Sequence, residues 1–145
     1  MNTLPSYLFA PTGKDKFKEY LQKVDVSKNK TFILMDTNTK KQCLDKFVTD
    51  FPELQNADYI VVRNGEQFKT IESCQLIWKN LTDNYADRSD LLVNLGGGVI
   101  TDMGSFAASV FKRGMQFCNV PTSLLAMIDA AIGGKTGVDF MGLKK

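Results

Sequence analysis

Strand-length apolar runs without polar alternation constrain this chain more than any other feature. Phe32-Ile33-Leu34-Met35 is such a run, Tyr59-Ile60-Val61-Val62 and Leu91-Leu92-Val93-Asn94-Leu95 also read as strands, and Phe117 to Val120 is a last strand before Pro121. A continuous run predicts a strand covered on both faces, the usual condition of a parallel sheet. Between the runs lie helical stripes. Phe17, Tyr20, Leu21 and Val24 recur at i, i+3, i+4 and i+7, and Leu44, Phe47, Val48 and Phe51 form the next stripe, stopped by Pro52. Cys74, Ile77, Trp78, Leu81 and Tyr85 trace a third face, and Met103, Phe106, Ala107 and Val110 a fourth that ends near Gly114. A short apolar run, Tyr7 to Ala10, closed by Pro11 and Gly13, precedes them all. Strands alternating with helices imply βαβ units, hence an α/β fold with a mostly parallel sheet flanked by helices. At 145 residues the chain suits one domain, domains most often having roughly 100–150 residues.

Composition excludes several classes of function. The net charge is only +2 and the lysines are scattered, so no nucleic-acid footprint is expected. Cys43, Cys74 and Cys118 lie far apart without CxxC spacing. That argues for buried free thiols in a reducing compartment rather than a disulfide framework or a zinc knuckle. No stretch approaches the ~18 apolar residues of a membrane span, and Met1 to Leu8 lacks the basic-then-apolar order of a signal peptide. The expectation is a cytoplasmic protein with no membrane partner. The chain has no histidine. It stops at Gly142-Leu143-Lys144-Lys145 with no closing element, which reads as a cut at a domain boundary.

Two segments carry chemistry. Leu91 to Asp102 reads LLVNLGGGVITD, a strand running into a glycine turn and then a helix. Glycines there let backbone approach a phosphate, and a helix amino terminus supplies unpaired N–H groups and a positive dipole end. This is either a pyrophosphate cradle or a tight strand–helix turn with no ligand. It departs from G-x-G-x-x-G, so the usual dinucleotide fingerprint is not met. Asp102 is placed to cap the helix or to accept from a ligand hydroxyl. Asp36, at a strand end with Asn38 two residues on, suits adenosine ribose contacts or a turn-forming role. The second segment, Val120 to Val138, reads VPTSLLAMIDAAIGGKTGV. Its Gly-Gly-Lys-Thr string resembles the end of a P-loop, but Asp129 stands where the first P-loop glycine belongs.

Together these strings resemble the 3-dehydroquinate synthase family. The matching residues are Asn64 to Lys69 (NGEQFK), Leu95 to Asp102 (LGGGVITD), Phe106 to Ser109 (FAAS), Lys112-Arg113-Gly114, and Val120 through Asp129 to Val138. The glycine turn is shared with a wider superfamily that includes glycerol dehydrogenases, whereas the Pro-Thr-Ser-Leu-Leu to Gly-Gly-Lys-Thr-Gly string is more specific. The resemblance implies that residues 1–145 are a Rossmann-like NAD-binding domain, one of two in the enzyme, with a helical metal-binding carboxyl-terminal domain absent. Such enzymes convert a heptulosonate phosphate to 3-dehydroquinate plus phosphate in the shikimate pathway, with catalytic NAD and a zinc or cobalt ion. The intact enzyme is expected to be a homodimer.

By the same resemblance, Asp36 and Asn38 would hold the adenosine ribose, and Glu66 and Lys69 would also contact NAD. Gly97, Gly98, Val99 and Asp102 would place the pyrophosphate, with Thr122 and Ser123 beside the nicotinamide. Asp129, Lys135 and Lys144 would reach substrate or cofactor, and Arg113 would bind phosphate in a neighbouring subunit's site. A guanidinium fork suits phosphate, while an ammonium acts as a point charge. Left to the residues alone, the lesser alternatives are a helix carboxyl-end cap for Arg113 and a surface lysine for Lys69. Ser123, Ala130, Asp139 and Lys145 depart from the family pattern. Ser123 keeps a hydroxyl, and Ala130 loses one. Family members ligate their metal with one glutamate and two histidines from the carboxyl-terminal half, so no metal residue is assigned here. The chain alone is expected to lack synthase activity, to bind NAD weakly and to expose an apolar face. Two alternatives stay open: another sugar-phosphate cyclase of the superfamily, and a non-catalytic nucleotide-binding module.

Overall fold

A computed structural model describes residues 13–128 and 136–144. Its first strand, β1 (Thr31–Asp36), buries four consecutive side chains, Phe32 to Met35, with no exposed surface. A strand can do that only when both its faces are covered. β2 (Asp58–Val62) and β3 (Leu91–Gly96) pair with β1 on either side, and β4 (Gln116–Pro121) pairs with β3, every pairing parallel. The resulting order is β2-β1-β3-β4. The expected mostly parallel sheet flanked by helices is the one observed.

Alternation along β1 sorts the core into two layers. Ile33 and Met35 join Leu91, Val93 and Leu95 of β3 beneath α1 (Gly13–Val24) and α2 (Thr37–Asp50). Phe32 and Leu34 join Ile60, Val62 and Leu92 beneath α3 (Ile71–Asp83) and α4 (Gly98–Val110). In the first layer Phe17 meets Phe51 edge-on at 4.8 Å, and Phe47 lies 5.1 Å from Phe51. In the second, the Trp78 indole N–H donates to the Ala107 carbonyl at 2.9 Å, tying α3 to α4.

Several details differ from the sequence expectations. Helix α4 begins at Gly98, five residues ahead of its apolar stripe at Met103, because glycines carry no periodic signal. Asp102 is therefore inside the helix and does not cap it. Tyr85 lies beyond α3 and is largely exposed, with a positive φ of 54°. Of the three free cysteines only Cys74 is buried; Cys43 and Cys118 are half-buried. The strand read at Tyr59 to Val62 is present as β2, which forms a sheet edge and leaves Tyr59 and Val61 exposed. The Tyr7–Ala10 run lies outside the described residues. No helix among the described residues is long and apolar enough to cross a membrane.

Candidate functional site at the carboxyl ends of the strands

The chain passes from β1 to β2 on one side, then places β3 on the other side of β1. Such a reversal opens a crevice beyond the carboxyl ends of the two central strands, where ligands of open α/β sheets bind. Asp36 closes β1 and Gly96 closes β3, so the two motif ends flank this crevice.

At the β1 end, one Asp36 carboxylate oxygen accepts from the Thr39 N–H at 2.7 Å and caps α2. An ionised carboxylate has about four acceptor sites, so capping leaves it able to take ligand hydroxyls. Thr37 donates to the Asn64 side-chain oxygen at 3.1 Å, linking this turn to the one after β2. Asn38 is exposed in the first turn of α2. Gly65, with φ 120°, turns the chain into a short 3-10 turn, Glu66–Phe68, in a conformation that side chains rarely adopt. Glu66 is exposed, while the Arg63 guanidinium lies 5.5 Å from the Phe68 ring centre.

At the β3 end, Gly97 is the residue before α4 and supplies no side-chain cap. The first N–H groups of a helix have no intrahelical acceptor, so those of α4 face the crevice along with the positive end of the helix dipole. The Thr101 hydroxyl is turned inward, 3.2 Å from the carbonyls of both Gly97 and Gly98. A Cβ built on Gly98 would meet nothing within 4 Å, and one on Gly97 only the Ser123 hydroxyl at 3.6 Å. The packing of this chain therefore does not demand glycine at position 98. A Cβ on Gly104, by contrast, would fall 2.0 Å from the Asn94 side-chain oxygen. That glycine serves close helix–strand packing.

Lys69 is buried, not a surface lysine: the residue is 6% exposed and its ammonium sits 2.7 Å from an Asp102 carboxylate oxygen. Val99 is half-buried beside the glycine turn. The turn after β4 is joined to the site by the Thr122 N–H, which donates to the Gly96 carbonyl at 2.9 Å. The Ser123 hydroxyl then accepts from the Ala126 N–H at 3.3 Å, at the start of the short α5 (Leu124–Ile128). Asp36, Glu66, Lys69, Gly97, Thr122 and Ser123 thus lie on the four strand-end turns at one edge of the sheet, with Asn38, Gly98, Val99 and Asp102 in the first two turns of the helices that follow. Arg113 does not join them. It is exposed at the opposite edge, in a turn where Lys112, Arg113 and Gly114 all have positive φ. Lys144 is exposed beyond a Phe140–Leu143 bridge, and Asp129 and Lys135 lie outside the described residues.

Gly104 was not singled out by the sequence, and Thr101 and Thr136–Asp139 appeared there only as motif or departing residues without a structural role. The one available signal for the packing group was Asn94, a polar residue inside an otherwise apolar strand and wholly buried. Among the described residues no group of three or more His, Cys, Asp or Glu is arranged to hold a metal ion.

Comparisons with known proteins bear on this edge. Residues 59–145 match the family described as 3-dehydroquinate synthase N-terminal. A 3-dehydroquinate synthase of Parabacteroides distasonis is 48% identical over 131 residues, which are 90% of this chain and 36% of that protein. The chain spans about a third of the length of the curated relatives it matches. Among solved structures, 2-deoxy-scyllo-inosose synthase superposes with a TM-score of 0.76 at 21% identity, over 88% of this chain and 36% of that one. A second crystal structure of 2-deoxy-scyllo-inosose synthase, complexed with carbaglucose-6-phosphate, NAD+ and Co2+, gives 0.71. The 2-epi-5-epi-valiolone synthase of Streptomyces hygroscopicus, with NAD+ and Zn2+ bound, gives 0.66 at 26% identity, over 77% and 31% of the two chains.

Proposed function

The chain belongs to the 3-dehydroquinate synthase family, and from that premise we propose that it is the NAD-binding part of an enzyme forming 3-dehydroquinate and phosphate from a heptulosonate phosphate. The observation that carries the cofactor reading is the uncapped amino end of α4 behind Gly97 and Gly98, at the point where strand order reverses. Those N–H groups would hold the diphosphate. Asp36 would accept from the adenosine ribose hydroxyls, with Asn38 and Glu66 at the rim. Thr122 and Ser123 would line the nicotinamide end, and Asp129, Lys135 and Lys144 would reach substrate or cofactor. Arg113, exposed at the far edge, suits a phosphate in another subunit's site, which fits a homodimeric enzyme.

Bound NAD would supply reversible hydride acceptance from a ring alcohol. This chain's residues would bind and orient the dinucleotide, and the strand-end turns would shield one side of it from water. A divalent metal is a different matter: with no histidine and no ligand cluster among the described residues, the groups present do not fit one. No metal step is assigned to this chain. We therefore expect the isolated chain to form no 3-dehydroquinate.

Titration calorimetry with NAD tests the reading. Saturable heat of NAD binding at one site is the expected result. Gly98→Val should abolish the signal while leaving the circular dichroism unchanged. Undiminished binding by the folded variant would remove the pyrophosphate from α4. Assay of an enzyme that joins this chain to a carboxyl-terminal part, with heptulosonate phosphate against glucose 6-phosphate, separates the synthase from a related cyclase.

A further inference from the structure

Residues Thr136–Asp139 return to the glycine-turn edge and are fastened there at both ends. The Thr136 hydroxyl donates to the Asp102 carbonyl at 3.2 Å, and the Gly137 N–H points to that carbonyl at 3.3 Å. The Asp139 N–H donates to the Lys69 carbonyl at 2.8 Å, and Thr70 and Asp139 form a parallel bridge. Between these anchors Val138 packs against the apolar layer beneath α3 and α4. The two residues whose carbonyls hold the strap are the same two whose side chains form the ion pair, Lys69 to Asp102 at 2.7 Å. That pair joins the loop after β2 to the second turn of α4, with side chains only 7% and 20% exposed.

We infer that the Lys69–Asp102 pair is a clasp, a positioning element that holds the two supports of the strap at the spacing it needs. A strap bonded to two separate elements stays bonded only while those elements keep their separation. The pair joins the 66–70 loop to α4 directly, whereas the other link runs through α3, which Thr70 caps and Trp78 ties to α4. Removing one partner of a buried pair leaves the other charge unpaired, which drives the two elements apart toward solvent. Thr136 follows Lys135 directly in sequence, so the clasp also fixes the carboxyl end of the second motif. The inference deepens the dinucleotide reading in assigning these two side chains to each other, but the strap itself requires no cofactor.

Site-resolved amide hydrogen exchange on the chain without NAD tests it. In Lys69→Met and in Asp102→Asn, exchange at Gly137 and Asp139 should rise about tenfold or more, while the β1 amides keep their protection. The double variant should exchange no faster than the faster single one, as partners in one interaction do. Unchanged strap amides in both single variants, or additive increases in the double, overturn the clasp. Should Lys69→Met lose protection in β1 as well, the milder Asp102→Asn decides alone, by the same criterion. An exchange effect in a chain that fails to bind NAD would uphold the clasp and defeat only the cofactor reading.

Discussion

Two glycines of one helix carry opposite demands. At Gly98 an added Cβ meets open space, so a side chain there should spare the fold and obstruct only a ligand. At Gly104 the same addition drives a carbon into the buried Asn94 side chain, whose amide donates to Asn119 at 2.9 Å. Gly104→Ala is expected to cost about 1–3 kcal/mol through overpacking, read as a lower urea midpoint at unchanged slope. A midpoint equal to that of the parent would show that α4 can shift at no cost. Cys74 offers a chemical check on the same layer. Burial among apolar side chains pushes its thiol up to about 12, so below that pH it stays protonated and poorly nucleophilic. A folded-state value raised in this way contributes stability that is complete below the unfolded value of about 8.5 and is lost progressively as the pH rises from there through the folded value. Iodoacetamide at pH 8 should modify half-buried Cys43 and leave Cys74 untouched, as peptide mass mapping would reveal.

At the scale of elements, α1 is docked through Leu21, Val24 and Phe17, the last 2% exposed and wedged against Phe47 and Phe51. Phe17→Ala should cost about 3–5 kcal/mol, measured by chemical denaturation, with α1 the first segment to lose exchange protection. Most elements were legible in the sequence because burial writes them there. β1 is covered on both faces and so reads as an unbroken apolar run, β3 as one interrupted only by Asn94, while α1 and α3 show one-sided stripes. The start of α4 was not legible, since Gly97 and Gly98 have no side chain to contribute to a period, and Asp102 consequently read as a possible cap. Its true partner, Lys69, lies 33 residues away, and no local pattern announces a pairing across that distance. The same holds for the strap, whose bonds run through backbone atoms that any sequence would possess. The glycine turn itself was readable, because the residue type and the strand before it both express the same constraint.

For the whole molecule, two segments, 124–128 and 140–143, expose large apolar side chains. Leu124, Leu125, Met127, Ile128, Phe140, Met141 and Leu143 are all exposed, several by more than 70%. An apolar surface of this kind tends to self-associate. Sedimentation velocity should show oligomers that grow with protein concentration, and replacing Leu124 and Leu125 with Ser should reduce them. If the strand ends around α4 receive the diphosphate of NAD, amide chemical shifts during an NAD titration will locate it there. Saturable shifts centred on Gly97, Gly98 and Val99, with smaller ones at Asp36 and Thr122, are the predicted result. No saturable shifts, or shifts centred on the opposite edge near Asp87–Ser89 and Gly114–Gln116, would contradict it.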